Sequence, residues 1–202
     1  MNYIYTALIS YLLGTFNIAY FIAKAHGFDI RERGSRNAGA SNMKVNFGWG
    51  AGILTALCDM AKSFIAIKLC SYLFPGDELI PFVSGAMAII GHIFPFYMGF
   101  RGGKGFASYI GMVIALDIRL ALAIAALTII VALTTNYIVL ATFTVITVVP
   151  LYYIYKGARI EIILILVAIA ALIFYKHRVN IKRLIHHEEM VIFDRSKKKT
   201  EE

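Results

Sequence analysis

Charged side chains are scarce in this sequence, at 16% of 202 residues, where soluble domains carry about a quarter. Set against 59% hydrophobic residues, that shortage excludes a water-soluble domain built around one core. Cysteine is nearly absent. Cys58 and Cys70 both fall inside apolar stretches without paired spacing, so neither a disulfide framework nor a metal site is expected, and both read as packing residues. The opening Met1-Asn2-Tyr3-Ile4 lacks the positive segment of a secretory signal peptide, so the first apolar run is expected to stay in the mature chain. No internal repeat is visible, and no metal or cofactor motif appears.

What the sequence does have is long apolar runs. They lie at about 3–23, 50–74, 79–98, 103–116, 119–134, 137–155 and 160–176, most of them long enough to cross a hydrocarbon layer of about 30 Å as helices. The pattern predicts an all-α, polytopic transmembrane bundle of about seven spans, the fourth and fifth short. With seven crossings, the loops at 24–49, 99–105 and 135–136 share a side with the segment after 176. Counting Lys176 at its edge, that side holds fifteen of the twenty lysines and arginines. The positive-inside rule then puts that side and the C-terminus in the cytoplasm, with the N-terminus outside. A net charge of +8, which in a soluble protein would raise the question of nucleic acid, is read here as topology, and no nucleic-acid partner is expected. Residues 1–194 read as one transmembrane domain, and 195–202 as a charged tail near anionic lipid heads.

Polar chemistry gathers on the cytoplasmic side. In the loop Gly34-Ser35-Arg36-Asn37-Ala38-Gly39-Ala40-Ser41-Asn42-Met43-Lys44, small residues, hydroxyls and amides alternate with cations. Backbone N–H groups, Ser35, Asn37, Ser41 and Asn42 are candidate donors to phosphate oxygens. An ordinary cytoplasmic loop held inside by charge is the plain alternative. In Arg101-Gly102-Gly103-Lys104-Gly105, glycines precede an apolar helix, whose N-terminus favours an anion, and two cations stand among them. It is not a nucleotide P-loop, because Gly105 stands where a Ser or Thr should follow the lysine. His177, Asn180 and Arg183 recur at helical spacing after the last run. Asp59 and Lys62 share one helix face within the second run, and read equally as a structural ion pair or as substrate contacts. His92 reads as a packing histidine, with substrate contact as the alternative.

Together these segments resemble the acyl-phosphate-dependent glycerol-3-phosphate acyltransferase family of bacterial membranes. The first loop resembles its Gly-Ser-Gly-Asn-x-Gly-Ala-Thr-Asn motif, and Asp59-Met60-Ala61-Lys62 its Asp-x-x-Lys. Gly91-His92-Ile93-Phe94-Pro95 with Gly102-Gly103-Lys104-Gly105 resembles the second loop, and His177-Arg178-Val179-Asn180-Ile181-Lys182-Arg183-Leu184 the third. The chain departs from the pattern at Arg36 and His187, where the family has glycine, at Ser63, also a family glycine, and at Val45, a family arginine with Lys44 beside it. The resemblance implies acyl transfer from acyl phosphate to the sn-1 hydroxyl of glycerol 3-phosphate, with no cofactor. It also implies a multi-pass protein of the bacterial inner membrane, with the site facing the cytoplasm and an acyl-phosphate-producing enzyme as functional partner. It assigns His177, Asn180, Ser35 and Lys104 to catalysis. Gly34, Arg36, Asn37, Gly39, Ser41, Asn42, Lys44, Asp59, Lys62, His92, Arg101, Gly102, Gly103, Gly105 and Arg183 are assigned to substrate binding, with phosphate on Ser35, Arg36, Asn37, Lys104 and the Gly102-Gly103 backbone. His177 or a substrate phosphate is the base. The His-x-x-x-x-Asp signature of the acyltransferases that use acyl-CoA or acyl carrier protein follows none of the five histidines. The rival readings are a transporter of an anion or phosphorylated metabolite, and a divergent paralogue with another acceptor.

Overall fold

A computed structural model describes residues 1–193 of the chain, so the tail at 195–202 lies outside the described residues. Among them there are nine α-helices and no strands: α1 (Asn2–Thr15), α2 (Ile18–Ala25), α3 (Ala40–Leu73), α4 (Ile80–Ile93), α5 (Phe106–Leu116), α6 (Ile118–Thr135), α7 (Ile138–Tyr155), α8 (Ile160–Lys176) and α9 (Arg178–Ile185). The expectation of an all-helical membrane bundle holds. Four helical stretches are long and apolar enough to cross a bilayer, at Asn2–Ala25, Ile80–Met98, Ile118–Thr135 and Ile138–Tyr155. The pair α8 and α9, bent by 53°, raises the number to five. This is short of the seven runs expected, for two physical reasons. Helix α5 has 11 residues, about 16 Å of rise, which is half a hydrocarbon layer. Helix α3 is long enough at 34 residues, but it carries Asp59, Lys62 and Lys68 along its length.

The boundaries also move. The first run is two helices broken at Asn17, whose side chain accepts from the Tyr20 N–H at 2.9 Å and donates to the Ala38 carbonyl at 3.0 Å. The stretch 24–49, expected to be loop, turns helical at Ala40, so Ser41, Asn42 and Lys44 sit in the first turns of α3. Gly48, at φ 84°, then redirects that helix, using a backbone conformation that other residues enter only with strain.

Packing rests on small residues, as it does between helices that have no water to expel. A Cβ on Gly14 of α1 would meet the Ala88 carbonyl oxygen of α4 at 2.1 Å. The main core joins α4, α5, α7 and α8 through Ile89, Ile93, Tyr109, Met112, Val145, Leu166 and Ile173. Outside it, Leu122, Ile129, Ile130 and Leu133 of α6 and Leu164 of α8 remain exposed, the outward apolar face that lipid would cover.

Candidate active site

The three polar segments meet at one end of the bundle. Arg31 ties the first to the second: it pairs with Asp29 at 2.6 Å and donates to the carbonyls of Met98 and, at 3.3 Å, Arg101. Asn42 holds the first loop closed. Its Oδ1 accepts from the Ser35 N–H at 2.8 Å, and its Nδ2 donates to the carbonyls of Ile30 at 2.8 Å and Arg33 at 3.1 Å. Fully buried and satisfied, Asn42 shapes the loop and presents no donor to a ligand. Gly34, in the left-handed region at φ 57°, lies directly against it. Ser35, Asn37, Gly39, Ser41 and Lys44 remain on the open side.

The glycine loop is used differently from the expectation. The Gly102 and Gly103 N–H groups donate to the last carbonyls of α4, those of Ile93 at 3.0 Å and His92 at 3.1 Å. They satisfy a helix C-terminus that would otherwise be orphaned, so these two N–H groups are committed within the chain, while Gly102 still lines a basic cavity. A Cβ on Gly103 would lie 2.0 Å from His92 Nε2, which is why no larger residue fits there. Gly105, at φ 96°, starts α5.

Beneath this loop lies a buried ion network. Lys62 Nζ stands 2.8 Å from Asp59 Oδ1 and 2.7 Å from His92 Nδ1, and donates to the Phe16 carbonyl at 2.8 Å. All three side chains are at most 5% exposed. The network thus joins α3, α4 and the α1–α2 break, and of the two readings left open the structural one describes Lys62. Asp59 and His92 also reach the cleft wall.

Lys104 turns away from the network and donates to Asn180 Oδ1. Burial lowers its ammonium to about 8, against the pull of Glu189. Asn180 Nδ2 donates in turn to Glu189 Oε1 at 2.6 Å. His177, the first residue beyond α8, donates from Nδ1 to the Ile173 carbonyl at 2.8 Å. That bond sets the tautomer and leaves Nε2 as an acceptor, while burial pushes the imidazole down to about 4.

Two cavities meet over these groups. One, of about 480 Å³, is ringed by Arg31, Arg36, Arg101, Lys104, Lys176, Arg178 and Arg183, with no carboxylate in its wall among the described residues. The other, of about 600 Å³, contains His177, Asn180 and Glu189 and is walled by Trp49, Phe106, Ile138, Val139 and Ile192 among others. Ser35, Asn37 and Lys104 belong to both. Sequence reading missed Arg31, Lys176 and Arg178, which looked like topological charge, and Glu189, Trp49 and Thr142, which carry no motif. Arg36 and His187 both adopt left-handed backbone, at φ 58° and 57°, which explains why a glycine suits those two positions in the resembling pattern.

The sequence matches the family model described as glycerol-3-phosphate acyltransferase over residues 4–187. It is similar to the glycerol-3-phosphate acyltransferase of Desulfotalea psychrophila, 37% identical across 92% of this chain and 95% of that one. It is also similar to that of Aquifex aeolicus, 32% identical across 94% and 98%. Among solved structures it resembles the crystal structure of PlsY (YgiH), an integral membrane glycerol 3-phosphate acyltransferase, in its glycerol 3-phosphate form. The TM-score is 0.88 at 31% identity, covering 96% of each chain. The lysophosphatidic acid form of the same protein matches at 0.85.

Proposed function

We propose that this chain, which belongs to the glycerol-3-phosphate acyltransferase family, moves a fatty acyl group from acyl phosphate to the sn-1 hydroxyl of glycerol 3-phosphate, releasing 1-acyl-glycerol 3-phosphate and phosphate. The observation that carries this reading is the junction of the cavities: a cationic one, lined by seven lysines and arginines, opens into an apolar-walled one at Ser35, Asn37 and Lys104. A phosphorylated polyol suits the first, and an acyl chain suits the second.

Acyl phosphate is an activated mixed anhydride, so positioning and charge stabilisation suffice. The acceptor oxygen bonds to the acyl carbon, the carbon–oxygen bond to phosphate breaks, and the hydroxyl proton ends on the departing phosphate. With its imidazole near 4, His177 is a weak base at neutral pH. Its role here is to hold the attacking hydroxyl through Nε2. Lys104 and Ser35 meet the phosphate oxygens, and Asn180 fixes the direction of Lys104.

Seven crossings remain the topology of this reading, with the N-terminus outside, the C-terminus cytoplasmic and the short α5 as one pass. In support, Tyr3 bonds Asp77 at 2.5 Å and Tyr152 bonds Asp117 at 2.8 Å at one end. Arg31 bonds the Arg101 carbonyl and Asn136 bonds the Phe193 carbonyl at the other. The excess of lysine and arginine at the second end favours a bacterial inner-membrane enzyme whose site opens to the cytoplasm, within reach of an enzyme that makes acyl phosphate.

The test is phosphate release by purified protein given palmitoyl phosphate, with and without glycerol 3-phosphate. Acceptor-dependent release with formation of lysophosphatidic acid is expected. Release without an acylated product would defeat the reading, and flux of phosphate across vesicles would favour a transporter. Turnover is also expected to fall as pH rises through about 8, because the charged form of Lys104 is the useful one. Lys104→Arg should remove that alkaline limb, since guanidinium stays charged. A limb unchanged in the arginine variant would clear Lys104 as its source.

A further inference from the structure

We propose that Glu189 orients the acceptor by receiving the secondary hydroxyl of glycerol 3-phosphate on its free carboxylate oxygen, an inference that rests on the acyltransferase reading above. Glu189 is 7% exposed, follows α9 and lines the apolar-walled cavity beside Asn180 and His177. One oxygen takes the Asn180 amide at 2.6 Å, while Oε2 is buried with no partner among the described residues. A buried carboxylate oxygen left without a donor is costly. Its position is nonetheless imposed: Ile192 N–H donates to the Asn136 carbonyl at 3.0 Å, Phe193 N–H to Asn136 Oδ1 at 2.9 Å, and Asn136 Nδ2 to the Phe193 carbonyl at 2.9 Å. Three bonds therefore clamp the strap that carries Glu189 onto the α6–α7 turn.

Electrostatics says which group completes the pair. A phosphate is repelled by this carboxylate and drawn to the adjoining cavity, whose wall holds seven cations and, among the described residues, no acid. What the free oxygen requires is a neutral donor, and a polyol tethered by its phosphate next door supplies hydroxyls at that junction. One carboxylate oxygen is already committed to the Asn180 amide, so the other is the one left to hold a hydroxyl. The hydroxyl it holds is then the one that does not react. With the secondary hydroxyl fixed, the terminal one points onward to the acyl carbon.

The experiment compares glycerol 3-phosphate with 3-hydroxypropyl phosphate, which lacks only the secondary hydroxyl, in the wild type and in Glu189→Gln. Wild type is expected to disfavour the deoxy acceptor by about 30-fold in kcat/KM, the scale of a hydrogen bond to a charged group. In Glu189→Gln that penalty should shrink to about threefold, through a raised KM for glycerol 3-phosphate with the KM for palmitoyl phosphate unchanged. A purely structural role would lower both acceptors equally, and an equal penalty in the two enzymes would overturn the proposal. Should the variant fail to fold, wild type alone decides, since equal use of the two acceptors overturns it and a large penalty supports it. No transfer to glycerol 3-phosphate in folded wild type would sink the acyltransferase reading itself, and this proposal with it.

Discussion

Lys104→Ala is expected to lower acyl transfer by about 100- to 1000-fold while leaving the fold intact. The magnitude follows from the position of the cation. Lys104 stands where the cationic and apolar cavities join, is largely removed from water, and is held by Asn180. A charged donor already aimed at the developing charge of the leaving phosphate needs no reorganisation during reaction, and losing one such donor costs about 10²–10³ in rate. The surrounding arginines do not compensate, because Arg36, Arg101 and Arg183 line only the basic cavity. Steady-state phosphate release at saturating palmitoyl phosphate, beside thermal unfolding in detergent, checks the point. A variant that unfolds normally and retains a tenth or more of the rate would place the charge stabilisation elsewhere.

Lys62→Met should destabilise the protein by about 3–5 kcal/mol, because it leaves the Asp59 carboxylate buried among apolar groups without its cation. Loss on this scale lowers the unfolding midpoint by about 10 °C in a chain of this size. Replacing both partners, as in Asp59→Leu with Lys62→Met, should recover part of the loss, since a buried pair exchanged for apolar side chains is often close to neutral. Activity should fall further than stability accounts for, because His92 in the same network supports the Gly102–Gly103 turn that carries Lys104. A single variant as stable as wild type would mean that Asp59 is satisfied by His92 alone, whose Nδ1 lies 3.2 Å away.

Much of the candidate cleft was legible because its residues cluster in sequence. Ser35, Asn37, Lys104, His177 and Asn180 stood out by residue type and spacing, and all five line one cleft. Where the reading went astray, it turned on hydrogen-bond bookkeeping that a sequence does not carry. Asn42 looked like a phosphate donor, yet its amide is occupied by the loop it closes. The Gly102 and Gly103 N–H groups looked free, yet they cap α4. Arg31, Lys176 and Arg178 passed for topological charge, although the basic cavity gathers them.

By itself the sequence determined that this chain is a helical membrane protein, and its charge asymmetry is the basis of the proposed orientation. Hydrophobic run length and charge asymmetry act locally, before any tertiary contact forms. It also determined the family, through four ordered motifs. Only the tertiary structure decided how those motifs are used. Which N–H faces a ligand, which lysine is structural, and why the carboxylate of Glu189 acts on the Lys104 ammonium all depend on which groups the fold brings together. Pairs such as Arg31 with Arg101 and Lys104 with Asn180, separated by 70 and 76 residues, meet at one end of the bundle. Buried polar atoms take partners by proximity in space, and proximity of that kind is set by packing.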